Sequence, residues 1–260
     1  MSNIYTEKDI RNCLLDLGVK KGDCLFVHSG LKALGKFIPN NDANSLESLL
    51  NIFLEAVGEK GTIVVPTFNF DFCRGEAFDR KKTPCDGMGA FSEYVRTHKD
   101  AYRACHPIHS VAAIGASAIA ITESVGFSEF SEGSFFDVLL QLDCKILFYG
   151  VSFVESFVHI AEERAKVPYR FWKTFTGDVI DGDKRETVTI NFYARRFDLV
   201  PEPQVDIEKI NQYLRKKIII TCKNLGAGSV SICSSNKMVY ELINKFTDEP
   251  NFPLIECSLQ

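Results

Sequence analysis

The chain has 260 residues, 45% of them hydrophobic, and a formal net charge of −4. This length can form one sizeable core, so we predict a single domain over residues 1–260, while the negative charge disfavours nucleic-acid binding, which needs clustered Lys and Arg. With no apolar signal core and no run of eighteen apolar residues, neither export nor membrane spanning is expected, and we predict a cytoplasmic protein.

The first third of the chain alternates helical and extended patterns. Apolar residues at helical spacing, preceded by capping residues, predict helices over 6–18 and 44–58. Continuous apolar runs predict buried strands over 23–30 and 61–70. Polar residues stand at the ends of both strands: His28, Ser29 and Thr67. Because open α/β sheets place ligand sites at strand ends, we expect a cleft there.

The middle of the chain contains a long aperiodic segment. Residues 71–88 have loop composition, and loops of this length inside a domain are usually functional or disordered. A short helix is predicted over 89–98. A further strand is predicted over 109–114, and His106 and His109 flank its start.

A histidine and a carboxylate follow the strand predicted over 145–151. Ser152 and Glu155 match a capping box, which predicts that a helix begins there. On that helix His159 and Glu162 are three residues apart, so their side chains can meet. A carboxylate beside an imidazole makes the imidazole more basic, which suits a general base. The alternative is a solvated amphipathic face that carries one histidine.

The last third of the chain predicts a hairpin and two helices. Two β-rich runs over 175–193 flank a turn at 181–184, and helices are predicted over 206–217 and 238–246 with short strands between them. The alternation of strands and helices predicts an α/β fold with layered helices around a mixed central sheet, which the hairpin is expected to join.

Five segments together resemble the aminoglycoside 3-N-acetyltransferase family, which includes amino-sugar N-acyltransferases. They are V-H-S-G-L-K-A-L-G (27–35), G-T-I-V-V-P-T-F (61–68), M-G-A-F-S-E (88–93), C-H-P-I-H-S-V-A-A-I-G (105–115) and F-V-H-I-A-E-E-R-A (157–165). The resemblance implies a CoA-dependent N-acyltransferase with this family's α/β fold and with acetyl-CoA or another acyl-CoA as cosubstrate.

The same resemblance implies roles for individual residues. His159 matches the general base, and the chemistry suggests that Glu162 orients it. Positions expected to bind CoA are His28, Ser29, Gly30, Leu31, Thr67, His106 and Ser110. Glu76 and Asp79 match an acidic stretch that faces the acceptor.

The acceptor is predicted from the segment 166–173, K-V-P-Y-R-F-W-K. Arg170 and Trp172 suit a diphosphate with a stacked base, so we predict a nucleotide-linked amino sugar for surface polysaccharide. The alternative acceptor is an aminoglycoside, with antibiotic resistance as the result. A non-catalytic CoA- or sugar-binding module is the alternative from a different class, and a homodimer is compatible with either.

Two further alternatives use the cysteines and histidines. Nine cysteines are scattered without C-x-x-C spacing, which indicates free thiols in a reducing compartment. Cys105 beside His106 could suggest a cysteine hydrolase, but adjacent residues of a strand point to opposite faces. A metal site of His106, His109 and His159 lacks any paired ligand spacing.

Overall fold

The computed structural model describes residues 4–40, 44–153 and 156–255. These residues contain twelve strands and eight α-helices. The strands are β1 Ile4–Thr6, β2 Cys24–Ser29, β3 Lys36–Ile38, β4 Thr62–Pro66, β5 Phe78–Asp79, β6 Tyr102–Arg103, β7 Val111–Gly115, β8 Lys145–Tyr149, β9 Arg170–Asp181, β10 Lys184–Arg195, β11 Thr221–Leu225 and β12 Gly228–Ser234. The helices are α1 Glu7–Asp16, α2 Ser45–Val57, α3 Gly89–Arg96, α4 Ala118–Thr122, α5 Phe135–Gln141, α6 Val158–Ala165, α7 Ile207–Lys216 and α8 Ser235–Asp248.

A mixed seven-stranded sheet has the order β11-β12-β8-β2-β4-β7-β6. Its central strands β8, β2 and β4 are parallel, and the strands outside them are antiparallel to their neighbours. The carboxyl ends of the parallel strands therefore share one edge, where Ser29 pairs with Tyr149. The predicted α/β fold with helices around a mixed sheet is confirmed. The single-domain interpretation stays a prediction.

The two faces of this sheet contribute to separate apolar clusters, since alternate residues of a strand point to opposite sides. Phe26 and Phe148 belong to a cluster that includes residues of α5, α6 and α8. Leu25 and Tyr149 belong to a second cluster with α1, α2 and α3. A fully buried Phe or Leu contributes about 1.5–3 kcal/mol, so the two clusters hold the helices on either side of the sheet.

The hairpin forms where the sequence predicts it, but it does not join the central sheet. β9 and β10 pair from Asp181↔Lys184 to Arg170↔Arg195, and β9 pairs with β5 in a separate three-stranded sheet. Apolar residues on the hairpin pack against Phe72, Phe78 and Ile108 in a small cluster of their own. The prediction that the hairpin makes the central sheet mixed is therefore wrong.

The starts of the predicted helices agree with the sequence except at α8, which begins at Ser235 and not at Met238, and at α6. The predicted capping box of Thr6 and Asp9 is present at α1. Helix α6 begins at Val158, after Phe157, which makes no side-chain capping bond. The start predicted at Ser152 is therefore too early, and Glu155 of the predicted box lies outside the described residues. The chain before α6 instead buries Phe157 edge-on against Phe26, at 5.1 Å between ring centroids.

Within the three described ranges, no helix is long and apolar enough to cross a membrane.

Candidate active site

The histidine and glutamate of α6 are in direct contact. His159 Nδ1 lies 2.6 Å from Glu162 Oε2, as their three-residue spacing predicts. A ring nitrogen this close to a carboxylate donates its hydrogen, which places the lone pair of the neutral ring on Nε2. His159 is thus oriented as a base by its neighbour one turn along the helix.

Glu162 is fully buried and held by two further residues. Arg170 Nε lies 2.7 Å from Oε2, and the Tyr169 hydroxyl donates to Oε1 at 3.0 Å. Burial by itself would raise the pKa of Glu162, but the charges of Arg170 and His159 outweigh burial and lower it to about 2. The carboxylate is therefore ionised at neutral pH and can stabilise a protonated His159.

The end of β2 and the turn that follows it carry four residues that the resemblance assigns to CoA. His28 is buried, and burial lowers its pKa to about 3, so its ring is neutral. Its Nε2 and the Ser29 hydroxyl have no hydrogen-bond partner among residues 4–40, 44–153 and 156–255. The amide of Gly30 donates to Tyr149 O at 2.8 Å, and Leu31 starts a 3₁₀ turn.

Gly30 is required at this position by the approach of two loops. A Cβ there would lie 2.7 Å from Gly150 O, closer than a side chain tolerates. Gly89, at the start of α3, lies on the other side of the loop, where a Cβ would be 3.3 Å from Ser29 O. Gly30 thus lies against the loop after β8, and the Ser29 backbone lies against the first turn of α3.

Thr67 and Ser110 are fully buried and contact a residue that the sequence analysis missed. Arg103 Nε lies 3.2 Å from both hydroxyls, and Arg103 Nη2 donates to Thr67 O at 3.0 Å. Burial lowers the pKa of Arg103 to about 10, which still leaves it charged. The arginine fixes the ends of β4 and β7. The contact of Thr67 and Ser110 with CoA stays a prediction.

A second cluster of histidines and a carboxylate lies beside the first. His109 Nδ1 is 2.6 Å from Glu129 Oε1, and its ring centroid is 6.4 Å from that of His159. His106 Nε2 is 3.7 Å from Glu129 Oε2. The sequence analysis missed Glu129, because the segment around it shows no periodicity and no motif.

Cys105 precedes this second cluster, and its environment disfavours the hydrolase alternative. Burial raises the pKa of the Cys105 thiol and lowers the pKa of His106 to about 4. A nucleophilic pair needs the opposite shifts, a thiolate beside a basic imidazole.

The four residues predicted to bind the acceptor occupy different surroundings. Glu76 is exposed, and Asp79 accepts the amides of residues 81 and 82 in a turn. No hydrogen bond or ion pair of the described chain joins either carboxylate to His159. Trp172 is 45% exposed and lies two residues beyond Arg170 on the same face of β9. Its ring contacts Phe127 at 5.2 Å between centroids.

Comparison with solved structures places this fold in a class. The structure superposes on aminoglycoside acetyltransferase AAC(3)-IVa with a TM-score of 0.78 at 22% identity, covering 97% of this chain and 92% of that one. AAC-IIIb in a binary complex with CoASH gives 0.79 at 18% identity, covering 94% and 97%. The fold is that of the aminoglycoside acetyltransferases.

Sequence comparison gives the family. The sequence model of aminoglycoside 3-N-acetyltransferase matches residues 26–247, so the chain belongs to that family. It is 28% identical to aminoglycoside N(3)-acetyltransferase III of Salmonella sp over 197 residues, 66% of this chain and 65% of the relative. The match thus spans just under two thirds of that relative's length. Aminoglycoside N(3)-acetyltransferase VII of Streptomyces paromomycinus is 26% identical, covering 87% and 86%.

The prediction of a nucleotide-linked amino sugar is wrong. The eight curated relatives that match carry the name aminoglycoside N(3)-acetyltransferase, and none is named for a nucleotide sugar. The structure gives the physical reason, because the guanidinium of Arg170 is bound to the buried Glu162. Arg170 supports the carboxylate that contacts His159 and does not point to a diphosphate.

Proposed function

We propose that the chain transfers an acetyl group from acetyl-CoA to the 3-amino group of an aminoglycoside. The observation that carries the proposal is the 2.6 Å contact between His159 and the buried, ionised Glu162 at the carboxyl edge of the parallel strands. Family membership supports the same reaction. Two relatives were solved with compounds of the proposed classes, AAC-IIIb with CoASH and AAC-VIa with sisomicin.

The chain offers polar groups that suit CoA. The His28 ring and the Ser29 hydroxyl carry buried atoms that lack hydrogen-bond partners in the described chain. The two residues precede the 3₁₀ turn Leu31–Leu34, and the Ser29 backbone lies next to Gly89 in the first turn of α3. Exposed amides at helix starts attract phosphate groups. When bound, acetyl-CoA supplies the thioester that carries the acetyl group.

His159 moves the proton of the reaction. An ammonium has no lone pair, so His159 Nε2 accepts a proton from the attacking amine, and Glu162 stabilises the imidazolium that forms. As the new C–N bond replaces the C–S bond, the imidazolium returns that proton to the leaving sulfur. Arg170 and Tyr169 hold Glu162 ionised and in place throughout.

The test is thiol release from acetyl-CoA by the purified protein with a panel of aminoglycosides that includes sisomicin. Replacing the base, His159→Ala, should lower kcat by about 10²–10⁴-fold. The affinity for CoA, measured by calorimetry, should stay unchanged. His98→Ala, a surface histidine at the end of α3, is the matched control and should keep the wild-type rate.

Two results would contradict the proposal. If no aminoglycoside stimulated thiol release, the acceptor class would be wrong. If the protein bound CoA but released no thiol with any amine, the non-catalytic binding module would be correct.

A further inference from the structure

Arg80 contacts two parts of the chain that are far from it in sequence. It follows β5 directly, and its Nη1 lies 2.9 Å from Oδ2 of Asp181, the last residue of β9. Its Nη2 pairs with Glu123, the residue after α4. These partners are 101 and 43 positions away from Arg80 in the chain. One guanidinium therefore connects the hairpin to the segment after α4.

The Arg80 side chain is itself held in place. Its Nε donates to Arg103 O at 2.5 Å, and Arg103 Nη1 donates to Arg80 O at 3.0 Å. The backbone amide of Arg80 donates to Ile180 O at 2.9 Å. Its side chain is 18% exposed, whereas the side chains of Glu123 and Asp181 are 54% and 51% exposed. The two carboxylates thus lie at the surface and meet a cation that other contacts position.

The two connected parts form walls of one cavity. The cavity has a volume of 410 Å³, with residues 122–129 on one wall and residues of β9 and β10 on another. Glu123 lines the first wall, and Val179, two residues before Asp181, lines the second. The ion pairs of Arg80 therefore bear on the separation of these walls.

The first wall leads to the proposed base. Phe130 follows it directly, and the ring centroid of Phe130 lies 5.7 Å from that of His159. Residues 123–134, all of them described, form neither helix nor strand, so side-chain contacts hold their position. A displacement of this segment would therefore change the space beside His159.

The charges explain what Arg80 contributes. With Arg80 present, Glu123 and Asp181 are both attracted to one cation, which favours the observed separation of the walls. Without it, two negative charges on different walls stand within reach of the same vacated position, and their repulsion favours a wider separation.

We propose that Arg80 is a positioning residue that sets the separation of the two walls and, through it, the fit of the acceptor beside His159. Its contribution is electrostatic, because one cation holds two carboxylates that belong to different elements. The effect on the acceptor rests on the proposed function, whereas the connection between the walls does not.

Hydrogen–deuterium exchange of the full chain tests the connection. In Arg80→Met, which removes the charge and keeps a long side chain, the amides of residues 123–131 should exchange about fivefold faster than in wild type. The double variant Arg80→Met/Asp181→Asn removes the repulsion and should recover part of this protection. Asp183→Asn, at an exposed position of the turn between β9 and β10, is the matched control and should leave exchange unchanged.

Thiol release measured against sisomicin concentration tests the consequence for the acceptor. In Arg80→Met the KM for sisomicin should rise about fivefold, while kcat should change by no more than about twofold. The KM for acetyl-CoA should stay at its wild-type value. Glu123→Gln and Asp181→Asn each remove one contact without creating repulsion, so each should raise the KM for sisomicin by only about twofold.

The outcomes separate this inference from the proposed function. Unchanged exchange in Arg80→Met would overturn the inference, and so would a double variant that is no better protected than Arg80→Met. Faster exchange with an unchanged KM for sisomicin would overturn the positioning role. If no aminoglycoside stimulated thiol release, the proposed function would be overturned, and exchange would still decide whether Arg80 connects the walls.

Discussion

In the described part of the chain, two histidine–glutamate pairs share one geometry and differ in the partners of the glutamate. In each, Nδ1 of a histidine lies 2.6 Å from a buried glutamate, His159 with Glu162 and His109 with Glu129. Glu162 has Tyr169 and Arg170 as additional partners. The second oxygen of Glu129 has no hydrogen-bond partner in the described chain, and His106 Nε2 lies 3.7 Å from it.

The two pairs therefore differ in how firmly the carboxylate is held, and the difference comes from the other partners of each carboxylate. A carboxylate with both oxygens engaged is a fixed support for the imidazole, which is what a general base requires. A carboxylate with one oxygen unengaged is prepared to accept a donor from a ligand. The positions of Arg170 and Tyr169 therefore distinguish the proposed catalytic pair, His159 and Glu162, from the pair of His109 and Glu129.

The largest expected effect comes from removing the Glu162 carboxylate. Glu162→Ala leaves Arg170 buried without its partner, and breaking a buried ion pair costs about 3–5 kcal/mol. We expect this loss in the free energy of unfolding, measured by urea denaturation, together with loss of thiol release. Glu163→Ala alters the next residue of the same helix and is the matched control. An equal loss of unfolding free energy in both variants would contradict the special importance of the partners that hold Glu162.

The pH dependence of the free energy of unfolding tests whether Glu162 is held in its ionised form. The pKa of Glu162 is about 2 in the folded protein, below its usual value of 4.5, so the stabilisation is complete above pH 4.5 and is lost as the pH falls toward 2. The difference in unfolding free energy between wild type and Glu162→Gln should therefore shrink from pH 7 to pH 3. A constant difference would show that Glu162 is not held in its ionised form.

A smaller effect is expected from the tyrosine. Tyr169→Phe removes the donor at 3.0 Å from Glu162 Oε1 and leaves the carboxylate with the same kind of unengaged oxygen as Glu129. We expect a loss of about 1–2 kcal/mol in the free energy of unfolding. Thiol release should fall less than in Glu162→Ala. Tyr193→Phe, whose hydroxyl bonds Val167 O, is the control for loss of a tyrosine hydroxyl without contact to Glu162.

The smallest expected effect concerns Glu163 of α6. Its carboxylate accepts a hydrogen bond from Ser128, the residue before Glu129. Burial raises the pKa of Glu163 to about 7, above its usual 4.5, so its ionisation destabilises the folded state as the pH rises from 4.5 through 7. Because its side chain is partly exposed, we expect Glu163→Gln to gain only about 1 kcal/mol at pH 8. No gain is expected at pH 5. Equal melting-temperature shifts at both pH values would contradict this.

Several features could be read from the sequence because they are local. Capping residues, helical spacing and apolar runs predicted α1, α2, β2 and the hairpin close to their observed bounds. The three-residue spacing of His159 and Glu162 predicted their contact, since neighbours on a helix surface are fixed by helix geometry. The family's segments indicated the fold and the reaction class.

The errors arose where local patterns competed with packing. The helix start at Ser152 was wrong because burial of Phe157 governs that entry into α6. The acceptor was wrong because Arg170 looked like a phosphate ligand in sequence, whereas it is bound to Glu162. A side chain's partner across the fold cannot be read from its neighbours in the chain.

The sequence by itself determined the helices, the buried strands and the pair on α6, because each depends on residues a few positions apart. Only the tertiary structure decided three contacts of polar residues. Arg170 of β9 lies beside Glu162, Arg103 lies beside Thr67, and Glu129 lies beside His109. These contacts join residues 8 to 36 positions apart in the chain. Residues separated in this way come into contact only when packing of the sheet and helices brings their elements together.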